Sequence, residues 1–274
     1  MLGDWLSIVV LGGLSSLIFV SGLGPFTDRM LDRWCLRYDV AVDQHGREWL
    51  RTQLRRARAW RWCGFAVGTV VSALPMYANV IDRNRAADFA TPANRFAPWL
   101  LAAAGSVVGE LLSRRPPGGR RAAAHLARSA IRRDYCSSRW VAVVGWSVPV
   151  SVAFAVQATQ SRDLGWRWSW LGPAVALRGS AAVTVGLRHL VNRPGAPDGL
   201  DRLVDDALRA DSAHHLVGAS VALAGLGTSH AALALDLGWL GLLVGMGQWL
   251  AIAAWWYVAR QETWNVARVR WSRS

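Results

Sequence analysis

Lysine is absent from this 274-residue chain, so all 31 basic side chains are arginine. The Walker phosphate loop needs a lysine, and no Gly-rich loop of that kind is present. The sequence also lacks the G-x-S-x-G nucleophile elbow and the H-E-x-x-H metal helix. These absences exclude a nucleotide-hydrolysing domain of the chain's own and leave no cofactor to expect. Transport at the expense of ATP would need a cytoplasmic ATPase from another subunit. Cysteine is scarce: Cys35, Cys63 and Cys136 are far apart and odd in number. That spacing excludes a structural zinc site and fits reduced thiols on the cytoplasmic side. Acidic residues number 18 against 31 arginines, for a net charge of +13. Nucleic acid is not the expected partner, because the arginines sit between apolar runs rather than on one face of a globular domain.

Long apolar runs fill the rest of the chain. It is 53% hydrophobic with a mean hydropathy of +0.19. Runs of roughly 18 to 25 residues recur, the length needed to cross about 30 Å of hydrocarbon. A soluble core helix keeps one face wet and does not need such a run. The expected fold is therefore all-α, a polytopic transmembrane bundle of about seven spans forming one integral membrane domain. The spans fall near 5–23, 62–81, 96–113, 140–158, 168–190, 215–235 and 237–258. Helices are required because backbone polar groups in lipid must be satisfied within the segment, and no period-two alternation suggests a barrel. No basic stretch precedes the first run, only Asp4, so it reads as an uncleaved span rather than a signal peptide.

Arginine distribution sets the orientation. Segments 24–61, 114–139, 188–214 and 259–274 hold 25 arginines, the alternate segments hold 5, and Arg178 is the remaining one. Positive flanks resist translocation, so the first set is cytoplasmic. The N-terminus is then outside, the C-terminus inside, and the plasma membrane is the expected location. Tryptophans mark both boundaries. Trp60, Trp62, Trp140, Trp255 and Trp256 lie at inner ends, and Trp99, Trp166, Trp168, Trp170 and Trp239 at outer ends.

The cytoplasmic linkers 24–61, 114–139 and 188–214 carry amphipathic helices. In the last, Leu200, Leu203, Val204, Ala207 and Leu208 line one face, with Asp198 placed as N-cap. The Arg115-Pro116…Asp134 segment echoes Arg193-Pro194…Asp211 at about six positions, a weak parallel internal repeat.

Ionisable and polar groups inside spans are the candidate sites, since each is costly in hydrocarbon unless paired or wet. Arg178 and Glu110 stand out. In the functional reading Arg178 meets an anionic substrate or lipid headgroup and Glu110 couples to it or to a proton. In the preferred structural reading they bond neighbouring helices or reach the interface. Gln157 and Gln248 are expected to hydrogen-bond between helices, each bond worth on the order of 1 kcal/mol. Pro75, Pro149 and Pro173 fall within or near spans and are read as tolerated kinks. Asp211 and His215 share one helical face at metal-ligand spacing, but no third ligand follows, so no metal is expected. Three G-x-x-x-G patterns, beginning at Gly64, Gly105 and Gly241, suit close packing or association with a second copy.

The composition favours a transport-related membrane subunit that works with a cytoplasmic ATPase or another membrane subunit. The alternative is a structural or regulatory scaffold whose arginine-rich linkers bind lipid or protein, with Arg114, Arg115, Arg120, Arg121, Asp205, Asp206 and Arg209 as interaction candidates. Such linkers draw the inner leaflet at about 1 kcal/mol per basic residue near the surface. An intramembrane lipid-modifying enzyme is disfavoured, because no cluster of carboxylates or histidines falls at one depth, and no catalytic residue is assigned.

Overall fold

A computed structural model describes residues 24–81, 136–161, 170–192, 200–233 and 235, 250, 253–255, 257 and 258 of the chain. The described elements are all helices: α1 (Asp28–Tyr38), α2 (Gln44–Ile81), α3 (Ser138–Ser161), α4 (Leu171–Asn192) and α5 (Leu200–Leu233). The predicted spans 5–23 and 96–113, and nearly all of 237–258, lie outside the described residues.

α1 starts after Thr27 and ends in a Schellman turn. The Val40 amide donates to the Cys35 carbonyl and the Asp39 amide to Leu36, with Asp39 left-handed at φ 50°. Aspartate tolerates that region better than most residues, and the turn satisfies carbonyls that the helix end would orphan. Five residues on, Asp43 caps α2 by accepting the Gly46 amide at 2.7 Å. Two ion pairs, Asp32 with Arg47 and Asp28 with Arg51, tie α1 to the start of α2.

α2 and α5 are each longer than expected. α2 joins the linker 24–61 to the span from Trp62 in one 38-residue helix. α5 joins the amphipathic stretch of the linker 188–214 to the predicted sixth span in one 34-residue helix. The physical reason is plain in the sequence. Residues 200–217 hold no proline or glycine, and extending an existing helix costs far less than nucleating a new one. Asp198, the predicted N-cap, lies outside the described residues.

α5 is the axis of the fold. Its residues are buried almost without interruption from Val204 to Ala232. Alanine, serine and glycine make up much of it, and such small side chains let neighbours approach on every side. α4 runs antiparallel to α5 in closest contact, and α3 packs on both. The seam with α4 is a glycine heptad. Gly172, Gly179 and Gly186 face Gly227, Leu223 with Ser220, and Leu216 in turn. A seven-residue spacing keeps one stripe on the partner helix, as in left-handed knobs-into-holes packing. At the end of the hairpin nearest its connection, buried Arg209 donates to the Leu190 carbonyl at 3.1 Å. This closes a carbonyl that the last turn of α4 leaves open. Pro173 is tolerated because it lies in the first turn of α4, where its missing amide has no partner to lose.

Polarity is distributed inside out. Arg209, Asp211, Ser212, His214, Ser220, Ser229 and His230 are buried on α5, whereas large apolar side chains cover the outside of α3 and α4. Val143, Trp146 and Val150 line one exposed face of α3, with Trp146 72% exposed, and Leu177 and Val185 do the same on α4. Among the described residues one helix is long and apolar enough to cross a membrane: Ser138–Gln160, with mean hydropathy 1.7 and 22% of its apolar window buried. A soluble core helix would be mostly buried; an exposed apolar face of this kind marks a surface that meets membrane or another protein.

A Cβ added at Gly172 would strike the Gly227 carbonyl, whereas one added at Gly145 on α3 would meet nothing within 4 Å. Alanine raises helix propensity by about 1 kcal/mol over glycine. Gly145→Ala is therefore expected to hold or raise the thermal midpoint in mild detergent. Gly172→Ala is expected to lower it, as followed by the loss of monodisperse protein on a size-exclusion column after heating.

Candidate functional site

Among the described residues the most concentrated polar site lies where α1, α2 and α5 meet, around the carboxylate of Asp211. α5 is buried on all sides here, so Asp211 points into protein, and its side chain is 5% exposed. Arg61 of α2 donates to Oδ2 at 2.9 Å and Tyr38 of α1 donates to Oδ1 at 3.2 Å. His215, one turn further along α5, holds Nε2 at 3.8 Å from the same Oδ1. Local periodicity brings these groups in. Arg61 continues the buried face of α2 through Leu50, Leu54 and Ala57, and Tyr38 continues that of α1 through Leu31 and Trp34. The Trp34 ring packs tilted against Tyr38, with centroids 4.7 Å apart and planes at 39°.

The electrostatics follow from burial. Loss of water, then the neighbouring Asp211 charge, holds the Tyr38 phenol well above its ordinary value, so Tyr38 stays a neutral donor. Burial pushes His214 down to about 4, against a smaller opposing pull from Asp211. His214 is thus neutral, and among the described residues its Nδ1 meets no hydrogen-bond partner. A buried ion pair with one partner removed leaves an uncompensated charge, which costs roughly 3–5 kcal/mol. The Arg61–Asp211 pair therefore locks α2 to α5 whatever its net contribution.

Chemically, the described residues of the cluster include the Asp211 carboxylate, the Arg61 guanidinium, the Tyr38 phenol and the imidazoles of His214 and His215. It can bind and exchange protons, and among the described residues no activated nucleophile is assembled around it. Among the described residues no group of three His, Cys, Asp or Glu could hold a metal ion. A second polar contact lies further along α5, where Thr228 and Ser151 of α3 share a hydrogen bond of 2.9 Å.

The sequence-derived candidates fall elsewhere. Arg209 is a buried structural cap, paired with Asp205 at 2.8 Å, and Asp206 is half-buried beside it. Arg178 is exposed on the face of α4 turned away from α5, and Gln157 lies on the exposed face of α3 in line with Val143, Trp146 and Val150. Neither reaches Asp211. Glu110, Gln248, Arg114, Arg115, Arg120 and Arg121 lie outside the described residues. Sequence reasoning flagged Asp211 and His215 by spacing but missed Tyr38, Arg61 and His214. The available signal was a polar residue in register with a buried apolar stripe.

Two measurements check this site. Asp211→Asn is expected to lower the thermal midpoint strongly, while Arg61→Gln combined with Asp211→Asn loses less than the sum of the single changes, as a double-mutant cycle reports. For Tyr38, stability is fully present below the ordinary phenol value of about 10 and is lost as pH rises through the higher folded value. Alkaline absorbance titration is expected to show a tyrosine that stays protonated until unfolding, and Tyr38→Phe removes that late step. No family model matches this chain, and no curated protein or solved structure does.

Proposed function

We propose that this chain is a multi-pass protein of the plasma membrane, with about seven spans, the N-terminus outside and the C-terminus cytoplasmic, acting as a transport-related subunit with a cytoplasmic ATPase or another membrane subunit. One observation carries the reading: polar groups run along the buried axis helix α5 while the exposed outer faces of α3 and α4 are apolar. That is the arrangement expected where the solvent is lipid and polar side chains mark a route or a junction inside the bundle. The ends assigned to the cytoplasm also meet one another. Arg61 reaches Asp211, Arg209 reaches Leu190, and Trp140 packs edge-on against Tyr257 at 6.3 Å. Such convergence supports one common depth for the inner ends of the second and fourth to seventh spans.

The scaffold reading keeps one observation in its favour. Arg29 and Arg33 of α1, and Arg55 and Arg56 of α2, are exposed on the cytoplasmic segment 24–61. A basic surface there suits anionic lipid.

Compartment-specific tags at the two termini are expected to report opposite sides of the membrane, and tags reporting the same side end the topology. Purification from native membrane in mild detergent is expected to bring down a stoichiometric ATPase or membrane subunit. A chain that purifies alone and is inert in flux assays, yet loses vesicle binding when Arg114, Arg115, Arg120 and Arg121 become Gln, decides for the scaffold.

A further inference from the structure

The glycine heptad commits one side of α4 to α5 and leaves the opposite side outward. That side presents Ala174, Leu177, Arg178, Ala181 and Val185, all exposed and spaced by three or four residues, so they form one stripe. Leu177 is 58% and Val185 63% exposed. Arg178 is the only charged residue between Leu171 and Leu187. Among the described residues it has no hydrogen bond or ion pair. We propose that this stripe docks a transmembrane helix of another membrane subunit, and that an aspartate or glutamate on that helix pairs with Arg178. The inference rests on the membrane reading above and supplies the chemistry of the partner.

Charge complementarity carries the argument. An arginine on an apolar helix face in hydrocarbon is costly unless it is paired or wet. The described helices have no carboxylate to offer at its depth. α3 and α4 contain no aspartate or glutamate, the only acid of α2 is Glu48 near its start, and the last acid of α5 is Asp211, already held by Arg61. A lipid phosphate fits the position less well. Trp170, 43% exposed, marks a headgroup level at the start of α4. Leu171 is about 10 Å along the helix from Arg178, whereas a helical side chain covers only the turn before its own Cα. A second copy docked through the same stripe would set Arg178 against its own duplicate, since a two-fold interface pairs a patch with itself. The residues one turn to either side, Ala174 and Ala181, are small enough for a partner helix to come close. Close approach lets a carboxylate meet the guanidinium fork with two parallel hydrogen bonds.

The test reconstitutes the full chain in phosphatidylcholine vesicles with a synthetic leucine–alanine helix of roughly 20 residues, carrying one Glu or one Gln at mid-length. Energy transfer between a dye at the C-terminus of the chain and one on the helix reads association. The Glu helix is expected to bind about tenfold more tightly than the Gln helix. Arg178→Gln is expected to abolish that preference and Arg178→Lys to keep most of it, with circular dichroism showing unchanged helix content. Equal binding of the two helices by the parent chain, or a preference that survives Arg178→Gln, overturns the proposal. A preference that emerges only after Glu110→Gln places the counter-charge within the chain and overturns it too. So does a preference lost when phosphatidylglycerol replaces part of the lipid, which assigns Arg178 to a headgroup phosphate. The two readings fail separately. A chain stripped from the vesicles by alkaline carbonate ends the membrane reading and this inference together, whereas a chain that is retained without preference ends this inference alone.

Discussion

The burial of Asp211 on the axis helix is the constraint around which the described structure is arranged. A carboxylate removed from water loses several kcal/mol of solvation, which only charge and hydrogen bonds can offset. Here the compensation comes from two other helices, Arg61 on α2 and Tyr38 on α1. The placement of segment 24–61 therefore follows from the needs of α5. Hydrophobic burial of Leu31, Leu50 and Leu54 gives α1 and α2 a face, but the ion pair gives that face its position along α5.

The α4–α5 hairpin solves a different problem by different means. Close contact here depends on shape, and shape depends on three glycines spaced by seven. Arg209 then closes the hairpin by satisfying the end of α4. Packing governs the half of α5 that meets Gly172 and Gly179, and charge governs the half that meets α1 and α2. The Ser151–Thr228 hydrogen bond adds a polar tie from α3 to the packed half.

Helix class and the apolar run 140–158 within α3 were legible in the sequence, because both rest on composition within one segment. The amphipathic stretch 200–208 was legible for the same reason. Its continuation into the sixth span was not, since hydropathy changes there while helix propensity does not. The junction was half legible. Asp211 and His215 lie four apart on one helix, so their proximity is local. Tyr38 and Arg61 are 173 and 150 residues from Asp211, and no pattern along the chain announces a contact of that range. Arg178 illustrates the reverse case. Its depth within a run is readable, but the face it occupies depends on where Gly179 packs, and Gly179 turns toward α5.

The unbroken length of α2 has a mechanical consequence. Thirty-eight residues at 1.5 Å per residue make a rod of about 57 Å. It is pinned to α5 at Arg61, about 26 Å from the Gln44 end and about 30 Å from the Ile81 end. A beam held near its middle is a lever with nearly equal arms. Sideways force on one arm would be carried past the guanidinium–carboxylate fulcrum as far as Pro75, whose missing amide removes one i→i−4 hydrogen bond from the other arm and makes that the place where the rod yields.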